Sequence, residues 1–157
     1  KHLNVSPYRT YVLQFDGGSR GNPGTAGAGM VLYDEVGHEV WHGRHYLGEH
    51  STNNEAEYTG LLAGLKCARA IGVSNIVVQG DSELIVKQLQ GKYKCKSSKL
   101  IPYFTSVKSL IKGFNSFEVR HIPREQNFRA DELANEAMDW RENDYLGVNI
   151  GRLKYPL

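Results

Sequence analysis

Cysteine is scarce in this chain. Among 157 residues there are two, Cys67 and Cys95, enough for one bridge and too few for a disulfide framework. They read as reduced thiols of an intracellular, reducing compartment, Cys67 on an apolar helix face and Cys95 exposed. Long apolar runs are also missing. None approaches the ~18–20 residues of a spanning helix, so no membrane partner is expected. The opening KHLNVSPYRT lacks the apolar core of a secretory signal, and the chain starts at Lys1, as a fragment or processed product would. There is no internal repeat and no low-complexity linker. What remains is 40% hydrophobic and 23% charged, the balance of a globular protein, and the length suits one domain with a sizeable core. Residues 1–9 read as an N-terminal extension, 10–141 as the domain, and 142–157 as a tail without a clear pattern.

One further absence is local. Residues 84–117 contain no Asp or Glu but seven lysines: Lys87, Lys92, Lys94, Lys96, Lys99, Lys108 and Lys112. The stretch carries +7, and the rest of the chain, with 12 basic and 17 acidic residues, carries −5; together they make the net +2. Such a segment is either a solvated face or a surface for a polyanion.

The elements follow from periodicity. Tyr11–Phe15 reads as a strand ending at Asp16, followed by a glycine-rich run over 17–29. Met30–Tyr33 and residues 38–47 give two more strands, and the short connections predict an antiparallel meander. Thr52 and Glu55 match a capping box, and Tyr58, Leu61, Leu62, Leu65 and Ala68 continue it at helical spacing. A strand over 76–80, helices near 82–90 and 99–112, a strand over 117–122 and a helix over 129–141 complete the order. A meander followed by helix-connected strands implies an α/β fold: a five-stranded mixed sheet with helices on both faces.

Two acids, Asp16 and Asp81, end predicted strands, where open α/β sheets place ligands. Two more, Glu57 and Asp131, stand at helix beginnings. Singly, each has an ordinary explanation as a turn former or an acid favoured by the helix dipole. Converged, the four would form an all-oxygen site for hard divalent cations, of the kind that cleaves phosphodiesters with two ions. The glycine run is neither a P-loop nor a dinucleotide fingerprint, because no Lys-Ser/Thr pair and no helix follows it. It reads as a hairpin whose backbone can approach a polynucleotide. His38, His42 and His45 do not make a zinc site, since His45 faces away from the other two on a strand.

With these residues in view, the chain resembles the type 1 ribonuclease H family. Asp16-Gly17-Gly18-Ser19 with Gly21-Asn22-Pro23-Gly24 is similar to the family's opening. Thr52-Asn53-Asn54-Glu55-Ala56-Glu57 resembles its second element, Asp81-Ser82 its third, and Asn127 through Ala134 its last helix. The resemblance implies a ribonuclease H-like fold. It also implies an endonuclease that cuts the RNA strand of RNA–DNA hybrids with Mg²⁺ or Mn²⁺, as a monomer, leaving a 5′-phosphate and a 3′-OH. Asp16, Glu57, Asp81 and Asp131 would be the metal-binding, catalytic acids. Gly17, Asn22, Thr52, Asn53, Asn54 and Ser82 would lie near substrate.

Some local text departs from that pattern. His121 either stands for a mobile loop histidine or is a strand residue before a shortened loop. The HIPREQN text favours the second and resembles the plant and archaeal branch; Arg124 or Glu125 would then assist product release. The extended basic handle of some relatives is missing, and Lys92, Lys94 and Lys96 could substitute for it on the hybrid backbone. Glu83 stands where some relatives carry a neutral glutamine. A hybrid-binding module of the same fold without catalysis is the alternative reading.

Overall fold

The computed structural model describes residues 4–151; the ends of the expected extension (1–3) and tail (152–157) lie outside the described residues. The elements are β1 (Thr10–Arg20), β2 (Gly24–Tyr33), β3 (Glu39–Ser51), α1 (Asn53–Ala70), β4 (Asn75–Gly80), α2 (Glu83–Leu89), α3 (Ile101–Ile111), β5 (Ser116–His121) and α4 (Phe128–Trp140). A short 3₁₀ turn, Arg124–Gln126, precedes α4. The strands form one mixed sheet in the order β3-β2-β1-β4-β5. β1, β2 and β3 pair antiparallel, while β4 lies parallel to both β1 and β5.

The meander and the helix-connected strands agree with the sequence pattern, and the glycine-rich run is a hairpin as expected, but most of it is strand. Residues 17–20 continue β1, residues 24–29 begin β2, and only Gly21-Asn22-Pro23 turn the chain. Asp16 therefore does not end its strand. It pairs with Gly29 on one side, while on the other the parallel ladder with β4 stops one residue earlier, at Phe15–Gly80. The carboxyl end of β4 is what opens a crevice beside Asp16, and Asp81 lies at that end.

Alternation along the strands builds two unequal layers. Leu13 and Phe15 of β1, Ala28, Met30 and Leu32 of β2, and Ile76 and Val78 of β4 join α1 in the main core. On the opposite face Val31 packs with Ala130 and Leu133 of α4. Here α4 comes so close that a Cβ on Gly29 would lie 2.1 Å from the Ala130 carbonyl oxygen. The capping box forms as expected: Thr52 Oγ1 accepts from Glu55 N–H at 3.1 Å, and Glu55 Oε1 accepts from Thr52 N–H at 2.9 Å. Cys67 is buried, and Cys95, expected to be exposed, is half-buried against the core. No helix among the described residues is long and apolar enough to cross a membrane.

Candidate active site

Three of the four acids converge. Asp16, Glu57 and Asp81 each offer a carboxylate oxygen within 4.8 Å of the other two. They come from three elements: the middle of β1, the second turn of α1, and the end of β4. Glu57 is not a first-turn acid, a place taken by Glu55, so the helix dipole does not account for it. Asp131, in the first turn of α4, joins from the rim. It lines the same cleft and interacts with Asp16.

The cluster is electrostatically costly. Asp16 is only 6% exposed. Burial, then the neighbouring carboxylates of Asp81 and Asp131, push its pKa up to about 8 against the pull of the Gly17 N–H. Glu57 is held well above the usual carboxylate range by burial, then by Asp16 and Asp81; the Arg124 guanidinium acts in the opposite direction. One oxygen of Glu57, Oε1, is buried without a hydrogen-bond partner. Hard oxygen donors, mutual repulsion and an orphaned acceptor together fit a site for divalent cations of the Mg²⁺ class.

A residue without an assigned role braces this site. Asn127 is fully buried at the N-cap of α4, yet its side chain makes no capping bond. Its Nδ2 instead donates to the Phe15 carbonyl at 2.9 Å and to Asp81 Oδ2 at 3.3 Å. It thus ties β1, β4 and α4 together behind the acids. The sequence shows only an Asn four residues before an acid at a helix start, which reads as an ordinary cap.

The other predicted residues fall into two groups. Gly17, Asn53, His121 and Arg124 line the acid cleft, which measures about 670 Å³. His121 is the last residue of β5, as the strand register requires, with Nε2 3.2 Å from the Asp81 carbonyl oxygen. Glu125 is exposed on the 3₁₀ turn beside Arg124.

Several of the expected substrate residues have structural partners. Asn22 Oδ1 accepts from Asn53 N–H at 2.9 Å, and Asn53 Oδ1 accepts from Ser19 N–H at 2.7 Å, locking the hairpin turn to the start of α1. Ser82 caps α2 by accepting from Ile85 N–H at 3.3 Å. Asn54 is half-buried beside Asn53. Lys92, Lys94 and Lys96 stand exposed on the segment joining α2 to α3. Glu83 is paired with Lys87 at 2.7 Å. The three histidines of β3 and its approach have separate partners: Asp34 for His38, Glu39 for His42 and Tyr145 for His45.

Comparison with known proteins bears directly on this arrangement. A family model described as "Reverse transcriptase-like" matches residues 14–137. The crystal structure of RNase H1 from Halobacterium salinarum superimposes with a TM-score of 0.80 at 42% identity, over 83% of this chain and 98% of that one. The chain belongs to the type 1 ribonuclease H family.

Other members of the ribonuclease H family agree. The N-terminal RNase H domain of rv2228c from Mycobacterium tuberculosis aligns with a TM-score of 0.81 at 38% identity, over 84% of this chain and 95% of that one. LC11-RNase H1, solved in complex with an RNA/DNA hybrid, aligns with a TM-score of 0.79 at 41% identity, over 83% and 98%. Among curated sequences, the Halobacterium salinarum Ribonuclease HI is 43% identical over 125 residues. The match covers 80% of this chain but 62% of that protein. For the bifunctional protein Rv2228c of Mycobacterium tuberculosis the share is 35%. The chain thus spans less than two thirds of these curated relatives.

Proposed function

We propose that this domain is an endonuclease that hydrolyses the RNA strand of RNA–DNA hybrids, using Mg²⁺ or Mn²⁺ and leaving a 5′-phosphate and a 3′-OH. The observation that carries the reading is the meeting of Asp16, Glu57 and Asp81 within 4.8 Å in an open cleft. A relative of 41% identity that was solved with an RNA/DNA hybrid supports the choice of substrate.

In this reading Asp16, Glu57 and Asp81 hold the cations, with Asp131 at the rim. When bound, two such ions would activate a water and stabilise the leaving oxygen of the cleaved bond. The chain's own contribution is to fix the donors. Asn127 holds Asp81 in place through Oδ2. Burial and the neighbouring acids raise the proton affinity of Asp16 and Glu57 in the bare cluster, and bound positive charge would lower it again. Gly17 and Asn53, which line the cleft, face the sugar-phosphate backbone together with Asn22, Thr52 and Asn54 of the adjoining turn and helix start, where the 2′-OH distinguishes RNA from DNA. Ser82, which follows Asp81 and caps α2, is a further substrate contact in this reading. Lys92, Lys94 and Lys96 contact the backbone away from the cations. Arg124, with His121 and Glu125 near it, assists departure of the cut product.

The test is a labelled RNA–DNA duplex incubated with wild type and Asp81→Asn in Mg²⁺ and in Mn²⁺. Cleavage of the RNA strand alone by wild type, reduced at least ~100-fold in the variant, is expected. Tight hybrid binding with no product in either metal would instead establish the non-catalytic module.

A further inference from the structure

The acid cleft has an arm that the four acids do not explain. It runs between the second half of β1 and α4, with Gly18, Ser19 and Arg20 on one wall and Ala134, Asn135 and Met138 on the other. Asp16, Gly18 and Arg20 alternate onto the same face of the sheet, so Arg20 extends the line begun by Asp16. Four residues of extended strand separate them, about 13 Å along β1.

Arg20 is held open toward this arm. Its Nη1 pairs with Asp139 at 2.8 Å and its Nη2 donates to Asn135 Oδ1 at 3.2 Å, while its side chain keeps 48% exposure. Asp139 lies four residues after Asn135, so both sit on one stripe of α4. Asn135 is itself fixed, because its Nδ2 donates to the Asp131 carbonyl at 3.0 Å. The guanidinium is thus aimed by two partners on α4, and a planar fork with five N–H donors has further donors to offer. An arginine oriented in this way, in an arm continuous with a cluster of carboxylates, adds a positive charge for gripping a polyanion at the end of the cleft away from Arg124.

We propose that Arg20 is a substrate-binding residue that holds a phosphate of the nucleic acid strand being cut, a neighbour of the cleaved one, and so sets the strand's path along the β1–α4 arm. This rests on the hybrid-cleaving reading above. The competing explanation is a surface ion pair that only ties the β1–β2 hairpin to α4, which would be worth little.

The two explanations separate through Asp139. Binding to an RNA–DNA hybrid is measured across a salt series in an Asp81→Asn background, which keeps the duplex intact, and KM and kcat are measured with Asp81 present. Arg20→Ala is expected to weaken binding about tenfold and to reduce the slope of log K against log salt by about 0.9, one phosphate contact. KM should rise while kcat holds, and Arg20→Lys should recover part of the affinity. Asp139→Asn keeps the guanidinium and removes a competing anion, so affinity should stay or increase.

Equal losses of affinity in Arg20→Ala and Asp139→Asn, or an unchanged salt slope in Arg20→Ala, overturn the assignment even if wild type cuts hybrids normally. If wild type binds but does not cut, and Arg20→Ala still loses affinity and slope, the phosphate contact stands and only the cleavage reading falls. No hybrid affinity in wild type overturns both.

Discussion

At the scale of single residues, the site is a compromise between function and stability. Asp16 and Glu57 are buried beside other acids and stay protonated well above the usual carboxylate range. For Asp16 the folded-state pKa of about 8 lies above its ordinary value of 3.8. Between those two values the folded state therefore binds more protons than the unfolded one, and stability falls as pH rises through the window. The metal-free protein should accordingly melt lower at pH 8 than at pH 5, with Mg²⁺ restoring much of the loss at pH 8. Asp81→Asn removes one of the repelling charges; two unit charges 4 Å apart repel by about 4 kcal/mol at an effective dielectric of 20, an upper guide. That variant should melt as high as wild type or higher at pH 8 without metal, and its pH slope should be flatter. Thermal melts at the two pH values, with and without chelator, check this. A lower melting temperature for Asp81→Asn at both would show that the acid is structural. The four acids were legible in the sequence because each sits in a distinct short motif. The roles of Asn127 and Arg20 were not, because each depends on a partner in a distant element: Phe15 and Asp81 for one, Asn135 and Asp139 for the other.

At the scale of elements, the sequence misleads where side chains are absent. A period of two is visible only through alternating side chains, and the run over 17–29 has few that could show it. It therefore reads only as a hairpin joining two shorter strands, although most of it is itself strand. The structure gives the reason for its composition: helices press on both faces of these strands. A Cβ on Gly17 would lie 2.2 Å from the Ala56 carbonyl carbon and 2.4 Å from the Glu57 nitrogen, whereas one on Gly18, pointing the other way, would meet only Met138 Cε at 3.9 Å. The close approach at Gly17 is what brings Glu57 to Asp16. Two adjacent glycines should thus respond very differently. Gly17→Ala should cost about 1–3 kcal/mol or more, through forced separation of α1 from β1, and should lower hybrid cleavage by displacing Glu57. Gly18→Ala should change stability by well under 1 kcal/mol. Urea denaturation of the two variants decides the matter, and equal losses would mean that α1 can shift to accommodate a side chain.

At the scale of the whole molecule, the part least legible in the sequence is the stretch after α4. Its residues follow no regular period because the segment is neither helix nor long strand. It lies along β3, one of the two edge strands of the sheet, and is held there by specific contacts. Arg44 and Asp144 exchange two backbone hydrogen bonds of 2.9 Å. Trp41 Nε1 donates to the Tyr145 carbonyl at 2.8 Å, His45 Nδ1 bonds the Tyr145 hydroxyl, and Tyr46 N–H donates to Asn143 Oδ1 at 2.7 Å. The Arg44 side chain, 10% exposed, lies over the Trp140 ring and pairs with Glu142 at 3.0 Å and Asp144 at 3.6 Å. Tyr145, Val148 and Ile150 pack against the main core. This cover protects an edge that would otherwise present unpaired backbone groups, and it lies beyond the residues matched by the family model. A chain ending at Arg141 loses these bonds and leaves the buried Arg44 charge with Glu136 alone, at 3.8 Å. At about 1 kcal/mol for each of these five hydrogen bonds the loss is of order 5 kcal/mol, and at roughly 2–4 °C per kcal/mol the melting temperature should fall by about 10–20 °C. Amide exchange over Trp41–Tyr46 should accelerate most, while hybrid cleavage well below the melting point should persist, since none of the four acids touches the segment. An unchanged melting temperature and unchanged protection of β3 would mean that the segment only rests on the sheet and contributes nothing to holding it.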